Sequence, residues 1–164
     1  MYQEMFAPSG GGGGGSTTYT VTTLYKNGLQ QGTVESAKST GTGTTVATDE
    51  GTYLKTSVSN NNYIYAWVGI KVDLTNINYV VFYDTSITSV GSGQGVYASP
   101  TIGGTSMPSI SQLTTGTNKS FKIMLDVSSL SGENYVGILS YTGSGGGARE
   151  ARCSLIELVQ VNFP

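Results

Sequence analysis

The side chains best able to do acid–base chemistry in this chain are its ten aspartates and glutamates, because it contains no histidine. Histidine is the usual general base and the commonest metal ligand. A glycosidase needs two carboxyl groups that face each other across a cleft. Asp84 in "VVFYDTS" and Asp126 in "FKIMLDV" could meet in this way across a sheet, although no motif joins them. Capping of turns at strand ends explains both residues more simply, and we expect no enzyme.

Two other features bear on cofactors and redox chemistry. Asp49 and Glu50 in "ATDEGTY" are adjacent carboxylates before a glycine, which can supply oxygen ligands to calcium. The spacing of an EF-hand is absent, and a polar turn explains the same residues, so we expect no cofactor and hold structural calcium as the alternative. The single cysteine, Cys153, has no partner for an internal disulfide, and its strand-like surroundings predict a small buried residue.

The stretch "NNNYIYAWVGIKVDL", residues 60–74, sorts into two files when it is read as a strand. Alternate side chains of a strand point to opposite faces of the sheet. The first file predicts a core face and consists of Ile64, Ala66, Val68, Ile70 and Val72. The second file, with two rings from the next predicted strand, predicts a contact face made of Tyr63, Tyr65, Trp67, Lys71, Tyr79 and Tyr83.

Three interpretations of this aromatic face stay open. Tyrosine and tryptophan rings can stack on the C–H faces of sugars while neighbouring polar groups bind the hydroxyls. Alternatively, the rings contact a second subunit, since exposed aromatic files mark contact surfaces. In the third interpretation they pack on one another and fill an outer layer. In a two-layer sandwich the face away from the core is expected to be open to solvent.

The amino-acid composition limits which kinds of protein this chain can be. The chain of 164 residues suits one domain, and charged residues make up 11% of it, against about 25% in a typical soluble domain. The formal net charge of −2 provides no basic surface for nucleic acid and no polybasic patch for a membrane. Twenty-four glycines, together with abundant serine, threonine and tyrosine, favour strands and tight turns over helices.

The pattern of strands and turns predicts an all-β fold. Asn27-Gly28 between strand-like flanks is a strong hairpin signal. Further strands are predicted near residues 43–48, 53–58, 63–72, 79–83, 95–99, 120–127, 135–141 and 151–163. About eight to ten strands at this spacing predict an antiparallel two-sheet sandwich, with a jelly roll as the leading topology.

The N-terminal part of the chain differs from the rest. Residues 1–8 are predicted to be a docking peptide, residues 9–16 a polyglycine linker and residues 17–164 the β-sandwich domain. The anchoring side chains of the docking peptide are predicted to be Met1, Tyr2, Met5, Phe6 and Pro8. No signal peptide and no apolar run long enough to span a membrane is visible, so we expect a product made in the cytoplasm and not inserted in a membrane.

Two sequence segments share a pattern of strand exits and turns, "VGIKVDLTNINYVVFYD" and "FKIMLDVSSLSGENYVGILSYTG". The residues that carry the pattern are Val72, Asp73, Leu74, Thr75, Leu125, Asp126, Val127, Ser128, Ser129, Leu130, Ser131, Gly132 and Tyr135. With these residues the chain resembles β-sandwich domains, carbohydrate-binding-module-like jelly rolls, in tail and minor structural proteins of bacteriophages and prophages. The resemblance implies a jelly roll displayed on a virion, in which the repeated Asp and Ser-Ser residues close turns.

Together these observations predict a bacteriophage virion structural protein. The N-terminal arm would attach it to other virion proteins as a capsid decoration, head fibre or tail accessory on the virion surface. The displayed domain would aid adhesion to host or environmental glycans. We also expect a homo-oligomer, with a trimer as one form, because symmetry adds avidity to weak sites. The alternative is a free carbohydrate-binding module without virion association.

Overall fold

A computed structural model describes residues 16–39, 43–59, 64–87, 93–104, 106–113, 119–142 and 148–163. At residues 84–87, 113 and 119–121 it describes the backbone alone. The strands are β1 (Thr18–Lys26), β2 (Leu29–Gln30), β3 (Thr33–Lys38), β4 (Thr44–Asp49), β5 (Leu54–Ser59), β6 (Tyr65–Asp73), β7 (Tyr79–Ile87), β8 (Gln94–Ser99), β9 (Ile110–Leu113), β10 (Lys119–Asp126), β11 (Glu133–Tyr141), β12 (Arg149–Cys153) and β13 (Leu155–Asn162).

The strands form two antiparallel sheets. The eight-stranded sheet has the order β2-β1-β13-β7-β12-β5-β4, with β10 also paired to β7. The five-stranded sheet has the order β3-β6-β11-β8-β9. The chain passes repeatedly from one sheet to the other, for example from β5 to β6 to β7 to β8. The predicted antiparallel two-sheet sandwich is therefore confirmed.

The main core lies between the two sheets. Val68 and Ile70 from the five-stranded sheet share this cluster with Val80, Phe82 and Ile156 from the eight-stranded sheet. All five side chains are fully buried. The predicted core file of β6 is thus confirmed where it meets this cluster, because alternation turns these residues inward.

A polar pair also joins the sheets inside the buried region. The hydroxyls of Thr56 on β5 and Ser140 on β11 are 2.8 Å apart and fully buried. Each hydroxyl gives the other a hydrogen-bond partner, which avoids the free energy cost of a buried unpaired polar group.

Local turn chemistry follows the sequence closely. Asn27 and Gly28 adopt φ angles of 49° and 82° between the paired strands β1 and β2, as a two-residue hairpin with a primed turn requires. The predicted hairpin is therefore present. Cys153 is fully buried in the core cluster, as predicted.

The two segments that carry the phage-like resemblance meet at one end of the sandwich. Asp73 accepts a hydrogen bond from the Thr75 amide at 2.8 Å, and Asp126 accepts one from the Ser128 amide at 3.0 Å. The Gly132 amide donates to the Thr75 hydroxyl at 3.0 Å, which connects the segments. Hydrogen bonds from the side chains of Thr75 and Ser128, and then from their amides, lower the pKa of Asp73 and Asp126 respectively. The aspartates therefore close turns, as expected from the resemblance.

Some elements differ from the sequence prediction. The short strands β3 and β9 were not predicted separately, and the strand predicted over residues 151–163 is divided at Ser154 into β12 and β13. The division accompanies a change of hydrogen-bonding neighbour, because β12 pairs with β5 whereas β13 pairs with β1. Within the described parts of the chain, no helix is long and apolar enough to cross a membrane.

Candidate functional site

The six predicted contact residues do not form one face. Tyr65, Trp67 and Lys71 lie on β6 in the five-stranded sheet, whereas Tyr79 and Tyr83 lie on β7 in the eight-stranded sheet. Both sets alternate with core residues, so they occupy opposite outer surfaces of the sandwich. The physical reason is that the chain changes sheet between β6 and β7. Tyr63 lies outside the described residues.

The outer surface of the five-stranded sheet gathers aromatic rings from three neighbouring strands, and we call it the ring face. Its rings are Tyr65 and Trp67 on β6, Tyr97 on β8, and Tyr135 and Tyr141 on β11. The rings of Trp67 and Tyr97 have centroids 4.8 Å apart and planes tilted by 59°. They form a cluster with Leu139, against which Tyr65 and Tyr135 also pack.

Glycines make room for this cluster. Gly69 on β6 pairs directly with Gly137 on β11, which pairs in turn with Tyr97 on β8. A β-carbon on Gly69 would lie 2.4 Å from the Tyr97 hydroxyl oxygen, closer than van der Waals contact permits. The Tyr97 side chain therefore extends over Gly69, a position that a larger residue would block.

The centre of the ring face is buried, contrary to the expectation that it is open to solvent. Trp67 is 3% exposed and Tyr97 is fully buried. Ile102 and Met107, from the residues between β8 and β9, pack against the cluster on its outer side. The expectation was wrong for these rings because Ile102 and Met107 cover them, and their burial agrees with the third interpretation, in which the rings pack and fill an outer layer. Burial also raises the pKa of Tyr97 far above its ordinary value.

One end of the ring face combines a ring with charged groups. The Tyr135 hydroxyl donates to the Glu35 Oε2 at 3.0 Å, and this hydrogen bond raises the pKa of Tyr135. The Lys71 ammonium lies 2.8 Å from the Glu133 Oε2, and this pairing raises the pKa of Lys71. Tyr135 is half-buried, whereas the Glu133 side chain is 71% exposed. This end can therefore offer both an aromatic surface and hydrogen-bonding groups to a ligand.

The outer surface of the eight-stranded sheet, which we call the opposite face, carries Tyr79 and Tyr83. Both tyrosines are half-buried, and the Lys122 ammonium lies 4.7 Å from the centroid of the Tyr83 ring. Val21 and Met124 are 37% and 41% exposed. This surface has single rings among aliphatic side chains, without the ring cluster of the ring face.

A groove lies at the edge of the eight-stranded sheet. It has a volume of about 410 Å³ and is lined by residues that include Ser57, Ser59 and Glu150. Glu150 forms ion pairs with Lys55 at 3.4 Å and Arg152 at 2.6 Å. The lining mixes these polar groups with the aliphatic side chains of Val58 and Ala148 and contains no aromatic ring, so the groove lacks the surface on which a sugar could stack.

The backbone positions of the two aspartates considered for catalysis lie far apart along the sheet. Asp126 pairs with Tyr79, which is five residues from Asp84 along β7. That separation is about 17 Å along the strand, beyond the roughly 9.5 Å of an inverting glycosidase pair. The interpretation that the two residues meet across a sheet is therefore wrong.

Asp49 stabilises the turn that follows β4. Its Oδ1 accepts hydrogen bonds from the Tyr25 hydroxyl at 2.8 Å and from the Gly51 amide at 2.9 Å. Among the described residues there is no group of three or more potential metal-ligating side chains. Calcium binding at Asp49 and Glu50 stays an untested prediction.

The predicted anchor lies outside the described residues. Residues 1–15, which include Met1, Tyr2, Met5, Phe6 and Pro8, have no described structure. The docking role of residues 1–8 and the linker role of residues 9–16 therefore stay predictions.

Several residues of the ring face were missed by sequence reasoning. Glu35, Tyr97, Tyr135 and Tyr141 were not named as contact residues, although alternation within "QGVYAS" and "ENYVGILSY" could have placed their rings on a face. What the sequence lacked was the order β3-β6-β11-β8, which brings the four strands together.

Comparison with known proteins supports the fold. No family model and no curated protein matches the chain. Among solved structures, the chain is similar to a mutant of CBM29-2, a family 29 carbohydrate-binding module complexed with cellulohexaose. The TM-score is 0.50 at 13% identity, over 85% of this chain and 91% of that one. A second similar structure is the xylan-binding module CBM86 from Roseburia intestinalis, with a TM-score of 0.45 at 13% identity, over 88% and 96% of the chains. The comparison therefore supports the β-sandwich fold, and no comparison supports the predicted relation to bacteriophage proteins.

Proposed function

We propose that this domain is a non-catalytic saccharide-binding module that holds a neutral oligosaccharide on its ring face. The observation that carries the proposal is the gathering of five aromatic rings on one outer surface, bordered by Glu35, Lys71 and Glu133. The fold agrees with this function, since the solved structure with a TM-score of 0.50 is a carbohydrate-binding module in complex with cellulohexaose.

Aromatic rings suit this task for a physical reason. Tyrosine and tryptophan offer a large, rigid contact area at low cost in conformational entropy. A sugar can place its C–H groups against such a ring while its hydroxyls point sideways to polar groups. On this surface Tyr135 provides the ring next to Glu35, Lys71 and Glu133.

The polar groups keep capacity for a ligand although they already contact one another. An ionised carboxylate has about four lone-pair positions. Glu35 uses one of these for the Tyr135 hydroxyl, and Glu133 faces the Lys71 ammonium. The remaining positions can accept hydrogen bonds from sugar hydroxyls. Two carboxylates beside one ammonium disfavour an anionic sugar, so the proposed ligand is neutral.

Isothermal titration with cellulohexaose and xylohexaose tests the proposal. Tyr135→Ala removes a ring and a hydroxyl at the open end, so we expect affinity to fall about tenfold or more. Tyr79→Ala on the opposite face is the matched control and should leave affinity unchanged. Loss of binding in Tyr79→Ala, with full binding in Tyr135→Ala, would contradict the proposal.

The non-catalytic part of the proposal has its own test. Prolonged incubation with each hexasaccharide should leave its length unchanged when the products are separated by chromatography. Release of shorter oligosaccharides by the purified protein, abolished in Asp126→Asn, would contradict this part. The separation of Asp84 and Asp126 supports the expected result.

Association with a virion is a separate proposal that rests on the sequence resemblance alone. It assigns residues 1–8 to attachment and the ring face to glycan adhesion at the particle surface, with a homo-oligomer as the displayed form. Deleting residues 1–16 should then abolish particle incorporation while saccharide affinity persists. An unchanged distribution of the truncated protein would sink this proposal and leave saccharide binding intact.

A further inference from the structure

The described residues between β8 and β9, residues 100–104 and 106–109, cross the centre of the ring face, and we call them the β8–β9 segment. The segment leaves β8 at Ser99, and Ile102 and Met107 pack on the cluster of Trp67, Tyr97 and Leu139. A β-carbon on Gly103 would lie 2.7 Å from the Ala37 β-carbon on β3 and 3.4 Å from the Tyr65 ring. Since β3, β6, β11 and β8 are successive neighbours, the segment reaches about 14 Å across three strand spacings.

Two polar atoms beneath the β8–β9 segment have no hydrogen-bond partner among the described residues. They are the indole nitrogen of Trp67 and the hydroxyl oxygen of Tyr97. Trp67 is 3% exposed and Tyr97 is fully buried, so both atoms lie away from the bulk solvent. Buried tryptophan N–H and tyrosine O–H groups usually find a partner, and each unpaired group costs about 1–3 kcal/mol. Two such groups from neighbouring rings indicate a surface prepared for a polar ligand.

The attachment of the β8–β9 segment is mainly apolar. Its hydrogen bonds are local: the Thr101 amide donates to the Ser99 hydroxyl at 3.2 Å, and the Ser111 hydroxyl donates to the Pro108 carbonyl at 2.8 Å. Among the described residues, none of its hydrogen bonds reaches β3, β6 or β11. Ile102 and Met107 are half-buried, and displacing them would uncover the rings of Trp67 and Tyr97. A ligand that covers the same rings would offset the free energy cost of exposing them.

The covered centre lies between two ends of the same face, at which the rings are half-buried. Tyr65 and Tyr141 lie at one end, while Lys71 and Tyr135 lie at the other. Six residues separate Tyr65 from Lys71 along β6, about 20 Å. An oligosaccharide of several sugar units could therefore contact both ends only by crossing the rings of Trp67 and Tyr97.

We propose that the β8–β9 segment covers the middle of the saccharide site and is displaced by a bound oligosaccharide, whose hydroxyls then accept hydrogen bonds from Trp67 and Tyr97. This inference rests on the proposed saccharide-binding function. It adds a central subsite with two hydrogen-bond donors, Trp67 and Tyr97. It also predicts that the site prefers a chain of several neutral sugar units to a monosaccharide. The free energy needed to displace the segment lowers the observed affinity for the oligosaccharide, because the protein without ligand has its central rings covered.

Trp67 is the only tryptophan, so its fluorescence reports directly on this centre. Quenching by acrylamide should be weak in the ligand-free protein. The double variant Ile102→Ser/Met107→Ser weakens the apolar attachment, so it should raise quenching without ligand and strengthen cellulohexaose binding by about tenfold. Tyr83→Phe on the opposite face is the control and should change neither quantity.

Tyr97→Phe tests the hydrogen-bonding role of the subsite. It removes a hydroxyl that lacks a partner in the ligand-free protein, so the denaturation midpoint should be unchanged or higher. Affinity for cellulohexaose or xylohexaose should nevertheless fall about tenfold. A destabilised Tyr97→Phe protein, or one that binds as tightly as the parent, would overturn the assigned role.

The outcomes separate this inference from the function on which it rests. Binding that leaves Trp67 fluorescence and quenching unchanged, and is unaffected by Ile102→Ser/Met107→Ser, refutes the central subsite but preserves saccharide binding. Absence of binding to both hexasaccharides, even in the double variant with an accessible Trp67, refutes both.

Discussion

The ring face and the opposite face carry similar side chains in different surroundings. On the ring face, Trp67 and Tyr97 contact each other and are covered by the β8–β9 segment, so at most 3% of either residue is exposed. On the opposite face, Tyr79 and Tyr83 are half-buried single rings, and Met124 is 41% exposed. The exposure of an aromatic file therefore depends on the neighbouring strands and on the connection above them, more than on the file itself.

The largest difference between the faces should appear in stability. Trp67→Ala removes a buried ring and leaves a cavity, so we expect it to lower the free energy of unfolding by about 3–5 kcal/mol. Tyr83→Ala removes a half-buried ring on the opposite face and should cost about 1–2 kcal/mol. Urea denaturation measures both values. Equal losses would contradict the structural difference between the two faces.

The glycine under Tyr97 provides a second, smaller test. Gly69→Ala places a methyl group 2.4 Å from the Tyr97 hydroxyl oxygen, so it should destabilise the protein by about 1–3 kcal/mol and make Trp67 more accessible to quencher. Gly132→Ala is the control, because its added methyl group meets nothing within 4 Å. The only strain that it adds comes from the backbone φ of 66°. It should leave Trp67 quenching unchanged. Equal quenching in both variants would contradict the position of Tyr97.

These tests bear on what the sequence could and could not predict. Alternation in "YIYAWVGIKV" was enough to place Val68 and Ile70 in the core and Trp67 away from it. Asn27-Gly28 was enough to predict the first hairpin, because few residues tolerate the left-handed conformation. Such local signals depend on the backbone geometry of a few consecutive residues.

The composition of the site could not be predicted in the same way. Tyr65, Tyr97 and Tyr135 share one face only because β6, β11 and β8 are neighbours, and strand order depends on contacts between distant parts of the chain. The covering of Trp67 by Ile102 and Met107 is likewise non-local. Without the strand order, rings on β6 and β7 were assigned to one face although they lie on two.

Alkaline pH should destabilise the protein partly through the ring face. Burial raises the pKa of Tyr97 above its value in the unfolded chain, where tyrosine ionises near pH ~10. The unfolded state therefore releases its proton first, and stability falls as the pH rises above that value. The fall in unfolding free energy between pH 8 and pH 11 should be smaller in Tyr97→Phe. An identical fall in both proteins would contradict the burial of this hydroxyl.

The smallest expected effect lies on the opposite face. Lys122→Met removes the ammonium over the Tyr83 ring and should lower the free energy of unfolding by about 0.5–1 kcal/mol. Saccharide affinity should be unchanged, since this face has no part in the proposed site. Weaker binding in Lys122→Met would move the site to the opposite face.

Chemical-shift mapping with ¹⁵N-labelled protein tests the central claim most directly. Titration with cellulohexaose or xylohexaose should perturb the amides of Glu35, Lys71, Trp67, Tyr97 and Tyr135, on β3, β6, β8 and β11. The chemical shifts of the amides of β7, β10 and β13 that lie away from the core contacts should not change. Perturbations confined to β7, β10 and β13, with an undisturbed ring face, would contradict saccharide binding at this site.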